Sequence, residues 1–378
     1  MHTRSTRLLL AALALLGITS CSKEFSDDTP LPAVQTKSVY ISNLNGMVYA
    51  LNPADGNKKW EFNAGAPVSS TPFLLRDQLF VCSEDGIMHK INALSGNQIR
   101  TYNLSPSFSG KLTASPIGEG DFIYVGTPDG NMICFDINAD TIRWKQPVSG
   151  AVNSSATFSD TNVVFGTDGG QMYAKSKRYG NDAWTFTNPA GGKFTSSPTV
   201  RRGQVYIGGE DGSMYAVRAN NGTQRWAYKT GGPIQSSPIS YGGNIIFGSY
   251  DKNVYCIDSG SGLPRWVFPT NDRITSSPYA YNQVIYIGSY DYSLYAIHII
   301  TGALKWKVRT DALIKASPVV SNGVVYYGSY DKFLYAADTA VGVTKWKRNI
   351  DGALDSSPIL ADSVNKGLYP SISGGSAD

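Results

Sequence analysis

The stretch Val284-Ile-Tyr-Ile-Gly-Ser-Tyr-Asp-Tyr-Ser-Leu-Tyr-Ala-Ile-His-Ile-Ile-Thr-Gly-Ala-Leu-Lys-Trp306, followed by Ala316-Ser317-Pro318, sets the pattern for the whole chain. It recurs eight times. Its tryptophan falls at Trp60, Trp144, Trp184, Trp226, Trp266, Trp306 and Trp346, with Arg100 in the remaining slot, so the spacings are 40, 44, 40, 42, 40, 40 and 40. The small-residue end keeps the same register at Pro72, Pro116, Ala156, Pro198, Pro238, Pro278, Pro318 and Pro358. A period near 40 with strand-like content predicts a β-propeller rather than a solenoid of helix pairs.

Each unit reads as four short strands. Val284 to Gly288 and Leu294 to Ile297 are rich in β-branched and aromatic residues, and Ser289 to Ser293 between them supplies a turn, so the pair forms a hairpin. The Thr301-Gly302 corner leads to a third strand around Trp306. The run Ala316-Ser317-Pro318-Val319-Val320 supplies the fourth. Blades narrow toward the axis, so the strand built of Ser, Ala and Pro is expected innermost. Proline, which cannot donate to a ladder, suits such an edge.

The first unit begins at Val39 without a Ser-Ser-Pro strand in front of it. The last tryptophan is followed by Asp355-Ser356-Ser357-Pro358-Ile359-Leu360, which has no blade of its own. The two defects cancel if the C-terminal strand joins the first blade as its innermost strand. The expected domain is therefore an all-β, eight-bladed propeller over residues 38–373, closed by strands from both ends of the chain. A closed ring exposes no sheet edge, and a monomer is expected.

Residues 1–20 carry Arg4 and Arg7, then the apolar run Leu8 to Ile18, too short to span a bilayer, and read as a secretory signal. Ile18-Thr19-Ser20-Cys21 resembles the lipobox of bacterial lipoproteins, in which the cysteine is acylated. This implies lipidation at Cys21. Residues 21–37 are polar with two prolines and read as a flexible tether. By the same resemblance, Ser22 after the cysteine points to the outer membrane of a Gram-negative bacterium. The run Lys23 to Asp28 is loosely similar to surface-export signals of some bacterial lipoproteins, which leaves the periplasmic side and the cell surface both open. The whole chain has 33 basic and 29 acidic side chains, and removing the signal leaves 31 against 29, with no footprint for nucleic acid.

The most specific motif is the eleven-residue stretch ending at each tryptophan: Ala50 to Gly56 to Trp60, Ala216 to Gly222 to Trp226, Ala296 to Gly302 to Trp306, Ala336 to Gly342 to Trp346. Glycine there permits a left-handed turn and the close approach of an indole face. These motifs resemble the tryptophan-docking motifs of the pyrroloquinoline-quinone-like, or quinoprotein-type, β-propeller family, from Val39 to about Ile372. The tryptophans are accordingly structural docking residues. Lys90 and Arg100 break the motif in the second unit, and a looser joint is expected there.

Chemistry is sparse. Cys82, Cys134 and Cys256 occupy slots held elsewhere by small residues and read as packed thiols. His89 and His298 have no neighbouring His or Cys at metal spacing. Asp85, Asp129, Asp211, Asp251, Asp291 and Asp331 recur at one turn position, which indicates turn chemistry. No nucleophile elbow, phosphate loop or calcium loop is present. The reading assigns no catalytic, cofactor-binding or metal-binding residue and no cofactor.

One face of the ring is more informative. It should gather Tyr250, Tyr290 and Tyr330 with the residues three before each inner proline: Ser69, Thr113, Asn153, Thr195, Gln235, Thr275, Lys315 and Asp355. The polar set should line the mouth of the channel. Tyr250, Tyr290 and Tyr330 with Gln235, Thr275, Lys315 and Asp355 form a candidate partner-binding face, or the tyrosines simply cover neighbouring turns. The family includes lipidated scaffolds of outer-membrane β-barrel assembly, so the resemblance implies a non-catalytic envelope scaffold whose protein partners include assembly components. The same family also contains quinone-dependent dehydrogenases. A glycan- or peptide-binding lipoprotein is the third reading.

Overall fold

Eight antiparallel sheets follow one another around an axis, one for each repeat of the sequence. The computed structural model describes residues 38–104, 110–361 and 367–368. The signal, Cys21 and the tether lie outside the described residues, as do residues 369–373 at the end of the expected domain. In blade 7 the strands Tyr279–Tyr281, Val284–Gly288, Ser293–His298 and Leu304–Arg309 pair in that order. The three-residue strands of successive blades contact one another, which places them at the axis. Blades 2 to 6 and blade 8 repeat this plan over residues 73–103, 117–147, 157–187, 199–229, 239–269 and 319–349.

Blade 1 closes the ring. Ser38–Ser42 pairs on one side with Met47–Leu51 and on the other with Ile359–Ala361, in the register Val39 to Leu360 and Tyr40 to Ile359. The C-terminal strand is not the innermost one, as the sequence reading had it. Gly367–Leu368 adds a fifth strand on its axial side. The inner edge of Ile359–Ala361 carries free backbone groups, and the returning chain pairs with them.

A second correction concerns the Ser-Ser-Pro segments. They were expected inside the innermost strand, but the ladder starts after the proline, at Val319 in blade 8 and Tyr279 in blade 7. Side-chain hydroxyls replace the missing rungs. The first serine serves its own blade: Gly208 N–H donates to Ser196 Oγ at 2.8 Å, and Ser196 Oγ donates back to Gly208 O at 3.0 Å. The same reciprocal contact joins Ser70 to Cys82 and Ser154 to Gly166, and Ser276 Oγ likewise accepts from Gly288 N–H. The hydroxyl of the second serine serves the preceding blade. Ser197 N–H donates to Ser237 Oγ, Ser237 N–H to Ser277 Oγ, Ser277 N–H to Ser317 Oγ and Ser317 N–H to Ser357 Oγ, all at 2.9–3.0 Å. Ser357 N–H then reaches Thr71 Oγ1 at 3.3 Å, across the closure. A belt of hydroxyls therefore links the blades around the axis.

The apolar residue four places before the inner proline fills the wedge between blades. Val68, Leu112, Phe194, Ile234, Ile274, Ile314 and Leu354 are all 0 % exposed. Each lies over the small slot at the end of a second strand. A Cβ on Gly288 would fall 2.3 Å from Ile314 Cγ2, so that slot stays empty except for Cys82 in blade 2 and Ser42 in blade 1. Burying such a side chain contributes about 1.5–3 kcal/mol. Cys82, Cys134 and Cys256 are buried and unbridged, and burial pushes the Cys134 and Cys256 thiols up to about 12.

At the outer edge, each tryptophan sits opposite the small residue of its own blade, as Trp306 does opposite Ala296, and reaches across to the next blade. Trp306 Nε1 donates to Thr339 O at 3.0 Å. A Cβ on Gly342, whose φ is 75°, would lie 2.7 Å from the Trp306 ring. The Trp60/Gly96, Trp184/Gly222, Trp226/Gly262, Trp266/Gly302 and Trp346/Gly56 pairs repeat the contact, the last across the closure. Trp144 docks on Gly180 in the same way.

The joint after blade 2 is built differently. It is not simply a weakened copy. Where the next blade should present glycine it presents Asp140, with φ 59°. The Asp140 carboxylate receives Arg100 and the Tyr102 hydroxyl, and Lys90 Nζ stands 3.6 Å away. Tyr102 packs on Phe135 with ring centroids 4.4 Å apart.

Candidate functional site

In a four-stranded meander, the turn between the second and third strands lies on the same face as the loop that enters the blade. The backbone ties these two together. Tyr250 N–H donates to Pro233 O, Tyr290 N–H to Arg273 O and Tyr330 N–H to Leu313 O, at 2.9–3.0 Å. Glu84, Asp168 and Glu210 hold the equivalent slots of blades 2, 4 and 5 and make the same bond. The slot is thus acidic on one side of the ring and aromatic over blades 6 to 8.

The structure brings all eight polar residues of the expected set around one cavity. Ser69, Thr113, Asn153, Thr195, Gln235, Thr275, Lys315 and Asp355 line a space of roughly 500 Å³, joined by Glu84 and Lys111. The lining is internally paired. Lys315 Nζ lies 2.6 Å from Asp355 Oδ1, and Lys111 Nζ lies 2.8 Å from Glu84 Oε2. Glu210 Oε1 accepts from Thr195 Oγ1 at 2.6 Å and from Gln235 Nε2 at 2.8 Å. Ser69 Oγ and Thr275 Oγ1 are buried and have no hydrogen-bond partner.

The three tyrosines form a half-buried collar around part of this mouth. Tyr250 Oη donates to Gln235 Oε1 at 2.7 Å, and Tyr330 Oη donates to Asp355 Oδ1 at 3.0 Å. Tyr290 has the Arg273 guanidinium over its ring at 4.3 Å, and the same guanidinium lies 5.2 Å from the Tyr250 ring. Burial, followed by the Asp355 charge, holds the Tyr330 phenol well above its ordinary value. Sequence reasoning missed Glu84, Lys111, Glu210 and Arg273. The signal for the two glutamates was present in the repeat register, since both fall in the slot of the tyrosines.

The remaining titratable groups are structural. Asp251 Oδ1 accepts from Asn253 N–H, and its Oδ2 accepts from Gly231 N–H at 2.7 Å and Tyr255 Oη at 2.6 Å. Asp291 and Asp331 repeat this pattern. His298 Nδ1 accepts from Thr301 N–H in a docking loop. His89 Nε2 lies 3.0 Å from Ser83 Oγ, but both residues are buried. Asp85 bonds the serine at 2.5 Å, so the carboxylate does not orient the imidazole as a catalytic triad requires. Burial lowers the His89 pKa.

A quinone of this repeat family would need cations for its carboxylates, a flat platform and a metal. At the axial mouth both lysines are already paired, and the lining contains no aromatic ring. Among the described residues no three His, Cys, Asp or Glu side chains are grouped as a metal site. The residues present do not fit the group.

Fold and site together define an eight-bladed propeller of tryptophan-docked, pyrroloquinoline-quinone-like repeats with a polar axial mouth. The family model of the outer membrane protein assembly factor BamB matches residues 19–107, 99–308 and 251–366, and the chain belongs to that family. It is 25 % identical to BamB of Yersinia pestis over 203 residues, 49 % of this chain and 47 % of that protein. BamB of Shewanella oneidensis is 25 % identical over 141 residues, 36 % of each chain. The aligned part thus spans less than half the length of these relatives. Among solved structures, BamB of Moraxella catarrhalis superposes with a TM-score of 0.66 at 18 % identity, covering 79 % of this chain and 94 % of that one. A europium-containing methanol dehydrogenase superposes with a TM-score of 0.71 at 13 % identity, covering 82 % and 83 %, which shows a shared fold.

Proposed function

We propose that the chain is a non-catalytic, lipid-anchored scaffold that binds protein partners at the cell envelope, in a BamB-like role in outer-membrane protein assembly. The observation that carries this reading is the axial face. Its polar groups are spread around a ring and paired with one another, whereas catalysis needs acids, bases or metals converging in one pocket. A rigid disc with an aromatic collar offers the roughly 1,200–2,000 Å² of a specific protein interface without special chemistry. Lipidation at Cys21 and a polar tether would place it at the outer membrane. Family membership supports the same role.

Crosslinked pull-down of the lipidated protein from its native envelope tests the proposal, with a parallel sample carrying Tyr250→Ser, Tyr290→Ser and Tyr330→Ser. Recovery of barrel-assembly subunits, and their loss in the triple variant, is the expected result. Stoichiometric binding of quinone and calcium with oxidation of an alcohol or sugar would overturn it. Processing and membrane retention that survive Cys21→Ala would remove the anchor from the proposal.

A further inference from the structure

The docking loops of the eight blades are geometrically equivalent, so each serves as a control for the others. In blade 1 the residues flanking the docking glycine are Asp55 and Asn57, and in blade 5 they are Asn221 and Thr223. The loop therefore needs no apolar side chain for its own geometry. Yet over blades 6 to 8 it carries Leu263, Ile300, Val341 and Val343, each 63–67 % exposed, with Leu304 beside them at 44 %. Exposed apolar residues also stand singly in the loops of blades 2 and 4, at Leu94 and Tyr179, but only over blades 6 to 8 do such tips fall on three consecutive blades and so form a continuous patch among the described residues, which calls for a partner.

Charge accompanies these tips. The outer strands of blades 7 and 8, Leu304–Arg309 and Thr344–Asn349, present Lys305, Lys307, Arg309, Lys345, Lys347 and Arg348, all exposed, and contain no acid. Only Lys345 is ion-paired among the described residues, to Asp338 at 3.2 Å. The corresponding strand of blade 4, half-way round the ring, has Asp182 as its only charged residue.

We propose that the rim of blades 6 to 8 docks on an anionic phospholipid surface, with the apolar loop tips entering the headgroup layer and the flanking lysines and arginines meeting phosphates. Protruding apolar side chains within a field of Lys and Arg match an interfacial membrane contact. The centre of a protein interface is instead depleted in lysine. The docking loops lie on the face opposite the channel mouth, so the contact turns the tyrosine collar toward the aqueous side. Sixteen residues lie between Cys21 and Ser38, and that length of chain reaches at most about 60 Å when extended. A tether of that reach fixes distance but not orientation, and the rim would supply the orientation. The tether depends on the lipidation proposed above, whereas the rim contact does not.

The test uses the chain from Ser22 onward, which has no acylation site and retains the complete ring closed by Ile359–Ala361. Flotation is measured with phosphatidylcholine vesicles that contain or lack phosphatidylglycerol. Binding only to the anionic vesicles, reversed by salt, is the expected result. Combined Lys305→Glu, Lys307→Glu, Lys345→Glu and Lys347→Glu should weaken it at least about tenfold. Arg225→Glu with Lys229→Glu, on blade 5, should leave it unchanged. Ile300→Ser, Val341→Ser and Val343→Ser together form a second variant that keeps the charges, and they should weaken binding while preserving its salt dependence. The proposal is overturned if the wild-type chain ignores anionic vesicles, if both rim variants bind as wild type, or if the blade 5 variant loses as much. Loss of a crosslinked protein with vesicle binding intact in the rim variants would assign the surface to a protein partner instead.

Discussion

Two ways of joining neighbouring blades coexist in this ring. At most joints an indole lies flat on a glycine and donates one hydrogen bond to a carbonyl, as Trp184 does to Gly222 and Ala219 O. At the joint between blades 2 and 3 a guanidinium, an ammonium and a phenol converge on the Asp140 carboxylate. The tryptophan joint holds by shape and apolar area, and the aspartate joint by charge and hydrogen bonding at a site where Arg100 is 58 % exposed. Solvent screening makes the second inherently weaker. Both halves of the joint differ at once: where no indole has to be received, as at Arg100, the slot opposite it need not be glycine and holds Asp140.

The largest effect is expected at the joint that combines docking with ring closure. Ending the chain before Ser356 removes Ile359 and Leu360, both 0 % exposed, and should cost roughly 3–6 kcal/mol at about 1.5–3 kcal/mol for each side chain. Thermal unfolding compared with the full chain measures it. An unchanged melting temperature would show that Trp346 on Gly56 closes the ring by itself.

Next in size is the contrast between the two kinds of joint. Trp184→Ala should destabilise by about 3–5 kcal/mol, the usual range for removing a buried tryptophan. Arg100→Ala should cost about 1 kcal/mol or less, as exposed ion pairs do. Urea titrations of the two variants decide this. Equal losses would mean that the charged cluster is packed as tightly as an indole.

That pair also shows what could be read from the chain. The tryptophan spacing led directly to eight blades, because a bulky residue at the outer edge and a small one at the axis are demands that every wedge-shaped blade repeats. Lys90 and Arg100 were visible as a break, but Asp140 was not recognised as their counterpart. It lies 40 residues beyond Arg100, and its meaning depends on which blade the side chain at 100 reaches. The Ser-Ser-Pro segment was located correctly and assigned the wrong state, since hydroxyls completing a ladder leave the same residue pattern as a strand. Gly367–Leu368 has only two residues and carries no periodicity at all. The polar mouth followed from register, whereas Glu84 and Glu210 share the tyrosines' slot without sharing a residue type, so no repeated side chain marks them.

A third experiment exchanges one joint for the other. Arg100→Trp alone brings an indole against the Asp140 side chain and should cost about 1–3 kcal/mol by overpacking. Adding Asp140→Gly and Lys90→Ala rebuilds the Gly and Ala environment that Trp306 has at Gly342 and Ala296 and should recover at least that loss. The coupling between positions 100 and 140, expected at about 1 kcal/mol or more, is read from the corresponding mutant cycle. Additive changes would show that the two positions are energetically independent.

The smallest effect separates the joints by acidity. The Asp140 pKa is lowered from its ordinary 3.8: burial would raise it, but the Tyr102 hydroxyl, Lys90 and Arg100 outweigh that. A carboxyl depressed in the folded state stabilises the fold above its ordinary pKa, and that contribution disappears as pH falls through the folded value. The gap in melting temperature between wild type and Asp140→Asn should therefore be full at neutral pH and narrow below about pH 4. Asparagine keeps the left-handed backbone that this position requires, so the comparison isolates the charge. The Trp184/Gly222 pair contains no titratable group, and the gap opened by Trp184→Ala should persist over the same range. A gap for Asp140→Asn that did not move with pH would show that neutral hydrogen bonds and the Tyr102 ring hold blades 2 and 3 together, with the ions contributing nothing measurable.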